Sequence, residues 1–370
     1  MSVLMRLSTF TAFAGMSGVA LSVLLISSAY AMPYAYISNH NSNNVSVINT
    51  ADNSVVATVA VGNRPRGVAV NPSGTGVYVT NTINDSTPSA NDTVSVIDTA
   101  NNTVTDTITV GDGPLGVAVN PAGTRVYVGN YISGTISVIN TANNTVTDTV
   151  SVGSGPRGVA VNPAGTIIYV ANYGSGTVSA INTSSNTVTD TVNVGNNPYG
   201  IAINPTGTRV YVANGSDGTV SVIDTSNNSV IATVSVGTTP YGVAIDPAGT
   251  RVYVTNMNSG NVSVINTSNN SVIATVSVGT TPRGLAVNPA GTRVYVANEN
   301  SDYVSVIDTA NNTVTTTVNV GTTPIAFGKF IGPDTSITPT SVPTLNEWGV
   351  TLLSSLLTLG VVLALRRQRR

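Results

Sequence analysis

The chain has 370 residues, of which 14 are basic and 16 acidic, so charged side chains make up 8% of it against roughly 25% in ordinary globular proteins. A net charge of -2 leaves no basic footprint for nucleic acid, and the absence of cysteine removes disulfides, thiolate nucleophiles and sulfur-ligated zinc. One histidine, His40, excludes His-pair metal sites and makes any catalytic triad depend on a single residue, and no organic cofactor is implied.

The chain opens on an export signal. Arg6 precedes an apolar run from Phe10 to Ile26, and Ala29-Tyr30-Ala31 supplies the small residues that signal peptidase needs. Residues 1–31 are therefore expected to be a signal peptide, with the mature chain starting near Met32. A retained membrane anchor would explain the apolar run but not the small residues beside it. An exported chain without cysteine must draw its stability from a large core or from repetition.

Repetition follows at once. A Tyr-(Val/Ile)-x-Asn box starts at Tyr36, Tyr78, Tyr127, Tyr169, Tyr211, Tyr253 and Tyr295, at a spacing of 42 residues with one step of 49. A Val-Gly pair ends each unit at Gly62, Gly111, Gly153, Gly195, Gly237, Gly279 and Gly321. Each unit holds four short runs rich in Val, Ile, Thr and Tyr, for example Gly116 to Val119, Arg125 to Gly129, Thr135 to Ile139 and Thr145 to Val152. These are strands a, b, c and d, separated by turns such as Asn120-Pro121-Ala122-Gly123-Thr124. Four strands in a period of about 42 residues is the pattern of a β-propeller blade.

The ends of the repeat region complement each other. The chain enters on strands b, c and d alone (Tyr34 to Asn39, Val45 to Asn49, Val55 to Val61) and leaves on a lone strand a, Ile325 to Ile331. Joined, they make a seventh blade and close the ring, which removes the open end. The expected fold is all-β: a seven-bladed β-propeller of four-stranded antiparallel blades over residues 32–333.

The boxes Tyr78-Val79-Thr80-Asn81 and Tyr253-Val254-Thr255-Asn256 resemble the YVTN family of β-propellers, which includes surface-layer-type proteins. The resemblance spans about residues 33 to 331; it implies the fold and is weak for activity, since the repeat residues build blades.

In an antiparallel blade the d-to-a and b-to-c connections share one face and the a-to-b and c-to-d connections the other. The second face barely changes between copies, whereas the first diverges. Between Pro and Gly at the start of strand a stand Arg66, Leu115, Arg157, Tyr199, Tyr241 and Arg283, with Ile325 in the last copy. Strand a is innermost, so these side chains are expected to rim one mouth of the central channel. The b-to-c loops on that face carry His40, Tyr131, Tyr173, Met257 and Glu299 after the box asparagine, and the seven-residue insertion lies within Thr82 to Asp92. Arginine and tyrosine dominate binding hot spots, so a binding face is expected at Arg66, Arg157, Arg283, Tyr199, Tyr241, Tyr131 and Tyr173. Drift in unconstrained loops is the plainer explanation for any one of them. Asp106, Asp148 and Asp190 on strand d lie on separate blades and read as guards against edge pairing rather than calcium ligands.

Residues 334–341 form a Ser/Thr/Pro linker. Beyond it, Val342-Pro343-Thr344-Leu345-Asn346-Glu347-Trp348-Gly349 leads into an apolar segment, Val350 to Leu365, and the chain ends in four arginines within residues 366–370. A helix from Trp348 would just reach membrane-spanning length, with its basic end in the cytoplasm. Residues 342–370 resemble the IPTL-CTERM class of sorting signals through Pro343, Thr344, Leu345, Glu347, Trp348 and Gly349, with Val342 for the usual Ile. The resemblance implies an exosortase-type processing protease, anchoring in the inner membrane by the C-terminal helix before processing, and delivery to the surface or release. A plain membrane anchor explains the helix and arginines but not the box.

Three functional classes follow: a non-catalytic surface module binding a polysaccharide or protein partner, a structural coat component, and an extracellular enzyme of the lactonase or lyase kind. The mouth offers too few acid–base groups for the third, only Glu299, Asp302 and His40, so binding leads and catalysis is not expected.

Overall fold

The computed structural model describes residues 33–83 and 92–333. The expected signal peptide (1–31), linker, sorting box and apolar tail lie outside the described residues, as does most of the insertion.

Six four-stranded antiparallel blades follow one another, each with its strands in the order a-b-c-d. Blade 1 runs from Pro65–Val70 to Thr103–Thr109, and blade 6 from Pro282–Val287 to Thr313–Asn319. Strands Tyr34–Asn39, Asn44–Asn49 and Ser54–Ala60 form blade 7 with the end of the repeat region, through bridges Asn39 to Pro324 and Ala35 to Ile331. Ile325 N donates to Ser38 O and Tyr36 N to Phe330 O, both at 2.9 Å. The ring is closed, as the complementary ends require.

The closing segment is less regular than the expected strand. Ala326 has φ +42° and Gly328 φ +125°, so the alternation breaks in mid-segment. The same segment serves three blades. Gly284 N of blade 6 donates to Ile325 O at 2.9 Å, while Val68 N and Val70 N of blade 1 donate to Phe327 O and Lys329 O at 3.0 and 3.1 Å.

The core sits between blades. Tyr127, Ile136, Val138 and Val150 of blade 2 pack on Ile168, Val170 and Ile181 of blade 3, and comparable clusters fill other blade boundaries. The two repeat markers meet there. A Cβ on Gly237, at the end of blade 4, would lie 2.6 to 2.8 Å from the side chain of Asn256 in blade 5. Gly237 N donates to Asn256 Oδ1 at 3.0 Å, and Asn256 Nδ2 donates to Ser263 Oγ at 2.9 Å. The glycine is small because the buried asparagine of the next blade occupies its side-chain space.

Two bulges recur and correct the simple alternation. On strand d the register shifts opposite Val96/Ile97 and at the equivalent place in the other blades. Val104 pairs with Ile97 while Asp106 pairs with Val96, so Val104 does not share a face with Asp106, Ile108 and Val110 as plain alternation suggests. The extra residue lets strand d supply both neighbouring interfaces: Val104 packs toward blade 7, Ile108 toward blade 2. On strand a the ladder is interrupted between Pro65 and Val68 and at the matching place in blades 2 to 6. Two residues there face one on strand b, which frees the residue after proline to turn out of the blade.

Candidate binding mouth

The turns sort onto two ends as expected. At one end the residue after each box asparagine bonds the d-to-a turn of its own blade, as Met257 N to Thr239 O at 2.9 Å and Tyr131 N to Gly113 O at 2.8 Å. At the other end, Asn120 Oδ1 accepts from Thr124 N and Arg125 N and fixes the a-to-b turn, and Thr141 at the c-to-d turn donates to Gly123 O at 2.8 Å. The conformation of the first end carries strain: Thr239, Thr281 and Thr323 hold φ values of +54° to +59° directly before the mouth prolines.

The strand-a bulge and the b-to-c loops bring the expected residues together. Tyr131, Tyr173, Tyr199 and Tyr241 follow one another with ring centroids 6.0, 5.1 and 4.6 Å apart. Phe327 extends the ladder, 5.4 Å from Tyr241. The Arg157 guanidinium lies 4.8, 4.5 and 4.7 Å from the ring centroids of Tyr131, Tyr173 and Tyr199. Arg283 lies 4.8 Å from the Tyr241 centroid and its Nε donates to Glu299 Oε2 at 2.7 Å. Cation–π contacts of this kind strengthen as the cation is desolvated.

The third arginine acts at a distance. Burial of Tyr241 disfavours its phenolate, but the guanidiniums of Arg283, Arg157 and Arg66 together outweigh that and hold its pKa below the ordinary tyrosine value. Tyr199 goes the other way, pushed up to about 12 by burial, with Arg157 opposing. Other expected rim residues sit elsewhere in character: Leu115 and Ile325 are buried, the latter against Tyr241 and Phe327, and the His40 ring bonds Asn41 in an exposed loop.

Phe327 escapes sequence reasoning because strand alternation gives it no inward place. Only the Ala326 and Gly328 backbone turns it into the mouth. Ala326 standing where the other copies have glycine is the single hint.

Beneath the mouth, strand-a backbones crowd the axis. The channel closes to a cavity of about 30 Å³ lined by Gly116, Gly158, Gly200, Gly242, Gly284 and Gly328 with their neighbours. That is room for a water or two. The strand-d aspartates lie on the exposed outer edge; Asp106 and Asp148 each accept the next residue's backbone N–H at 2.8 Å. Among the described residues no group of three or more His, Cys, Asp or Glu is placed to hold a metal ion.

The ladder gives a first measurable consequence. Because its pKa is depressed, ionisation of Tyr241 adds stability as pH rises from its folded value toward 10, whereas tyrosines with raised values, Tyr199 and Tyr211 among them, withdraw stability above 10. Ultraviolet titration should show a tyrosine component that ionises below the ordinary tyrosine value, contributed by Tyr241. Tyr241→Phe should remove that component; its persistence would mean the three arginines do not converge there.

A closed ring of seven four-stranded antiparallel blades, with an aromatic and cationic cluster at one end, defines a seven-bladed β-propeller. Residues 154–336, just under half of the chain, match the YNCE-like beta-propeller family, and residues 340–370 match the IPTL-CTERM motif. The chain is a seven-bladed propeller whose later blades are similar to the YNCE-like family and whose tail is similar to the IPTL-CTERM motif.

Among solved structures the chain is similar to Kuenenia stuttgartiensis hydrazine synthase, with 23% identity, a TM-score of 0.68, and coverage of 81% of this chain and 99% of that one. It is also similar to a functionally unknown protein of Desulfotomaculum acetoxidans, at 16% identity and TM-score 0.67, over 80% and 99% of the two chains. A third is a candidate 6-phosphogluconolactonase of Bacteroides fragilis, at 18% identity and TM-score 0.69, over 81% and 98%. These likenesses show the fold alone. No curated protein matches the chain. The IPTL-CTERM motif suggests an exported surface protein handled by a sorting protease. No helix among the described residues is long and apolar enough to cross a membrane.

Proposed function

We propose that this protein is an exported binding or adhesion module, displayed at the cell surface, whose Arg–Tyr mouth holds a surface polymer or a protein partner. On this reading residues 1–31 are removed by signal peptidase, and the tail of residues 342–370 holds the chain in the membrane until an exosortase-type protease acts. Intact-mass measurement of the surface fraction checks the second step: a chain ending before residue 342 is expected, and an intact C-terminus would count against processing.

The observation that carries the binding reading is the ladder from Tyr131 to Tyr241 with Arg157 and Arg283 stacked on it. Rigid aromatic faces and preorganised guanidiniums give contact area and charge at little entropic cost. The test is a glycan and peptide array probed with wild type and with the triple variant Arg66→Ala, Arg157→Ala, Arg283→Ala. Signals lost in the variant support the mouth; signals retained in full contradict it.

A coat role has one specific observation in its favour. Val55, Val56, Val230, Ile231, Val272 and Ile273 on the outer strands are 38 to 50% exposed, an apolar rim that copies could share. A lactonase-like activity, suggested by the name of the Bacteroides structure, has less support. Glu299 is held by Arg283, and the cavity below the mouth is too small for a sugar ring.

A further inference from the structure

The propeller's arginines divide between its two ends, and the division is informative. At the turn end, Arg251 donates to the carbonyl of Thr309 and Arg293 donates to Thr50 O at 3.0 Å, each reaching the next blade. Those two are clamps between blades. At the mouth, Arg283 has Glu299. Arg157 forms no ion pair among the described residues, and its Nε is buried without a hydrogen-bond partner. Three tyrosine rings hold it while the residue as a whole stays partly open to solvent.

A fixed guanidinium of this kind is built for a planar anion, which it meets with two parallel N–H donors. The rings around it add a second requirement. Tyr131, Tyr173 and Tyr199 are half-buried, so each keeps part of its apolar surface open to a ligand.

The backbone removes a competing class of ligand. Arg66 O accepts from Ser38 Oγ and Phe327 N, Leu115 O from Thr80 Oγ1, Arg283 O from Thr255 Oγ1, and Ile325 O from Gly284 N. These four mouth carbonyls are therefore in use, and a peptide finds no free acceptor at them from which to extend a strand. The cavity below, about 30 Å³, gives a large side chain no room to insert. What fits is a ring carrying an anion, lying across the mouth.

We propose that the mouth binds the uronic-acid unit of an acidic polysaccharide, with its carboxylate on Arg157 and its pyranose ring over Tyr131, Tyr173 and Tyr199. The polymer continues over the b-to-c loops, and Glu299, already paired, repels a second anion from the Arg283 side. This rests on the mouth being the binding face.

Calorimetric titration of the full chain tests it, with trigalacturonate, its methyl-esterified neutral counterpart and dextran sulfate as probes. Trigalacturonate should bind in a salt-sensitive way, and the ester and the sulfate should not match it. Arg157→Gln should weaken binding at least about tenfold, while Arg125→Gln at the opposite end leaves it unchanged. Equal binding of acid and ester, equal binding of sulfate, or full binding by a folded Arg157→Gln chain would each overturn the assignment. If trigalacturonate fails but another array ligand depends on the three mouth arginines, the ligand class is wrong and the mouth stands. If nothing depends on them, both fall.

Discussion

Phe330→Ala is expected to cost about 3 to 5 kcal/mol of stability, the range for removing a fully buried aromatic ring. Phe330 is fully buried at the seam, in one cluster with Tyr36, Ile37 and Val47 of blade 7, Val68 of blade 1 and Tyr295 and Val304 of blade 6. Its backbone carbonyl accepts Tyr36 N, so the residue also stands in the ladder that joins chain end to chain start. A propeller has no other closure: loss of the seam exposes the faces of blades 1 and 6 together. Denaturant unfolding of the variant should show a lowered midpoint, and a cost below about 1 kcal/mol would mean that the ring closes without this segment.

Gly284→Ala is expected to be comparably severe, about 3 kcal/mol, by overpacking. A Cβ there would run into the carbonyl oxygens of Ala326 and Ile325, which are backbone and cannot swing aside. The same holds around the axis, where Gly116 faces the carbonyl of Arg157 and Gly242 that of Arg283, so the glycines bring each mouth residue against its neighbour's blade. Gly76→Ala is the control. Its Cβ would come no nearer than 3.4 Å to Asn71, and a change within about 0.5 kcal/mol is expected. Equal losses at the two positions would remove the axial contact as the reason for the repeated Pro-x-Gly.

The ring was legible in the sequence because its period is covalent. Seven Tyr boxes at fixed spacing mark the b strands, and the complementary ends, b-c-d at the start and a at the finish, state how it closes. Which end holds the variable residues was legible too, since strand parity alone puts Arg157 and Tyr173 on one side. What alternation hides are the two bulges. The one on strand d offsets Val104 from Ile108, the one on strand a frees Arg157 from the ladder, and nothing in a run of Val and Thr announces an extra residue. Nor does sequence show that Arg157 is caged by three tyrosines from three blades, or that Phe327 extends their ladder. Those contacts depend on the ring curvature and on the left-handed Ala326, not on local pattern.

Threonines before the mouth prolines fit the same picture. Thr239 and Thr281 hold a backbone shape that glycine takes at Gly113 and Gly155, and strain of this kind persists where the surrounding structure fixes it. The end of the propeller that varies most between copies is also the strained and aromatic end, whereas the uniform end is knit by Asn120-type turns and the Arg251 and Arg293 clamps.

The most direct test of the mouth as the functional surface is hydroxyl-radical footprinting of the full chain, with and without the ligand taken from the array. Protection should centre on Tyr131, Tyr173 and Tyr199 and leave the exposed Ile231 and Ile273 of the outer strands unchanged. Protection of Ile231 and Ile273 with the tyrosines unaffected would contradict the account and place recognition on the rim.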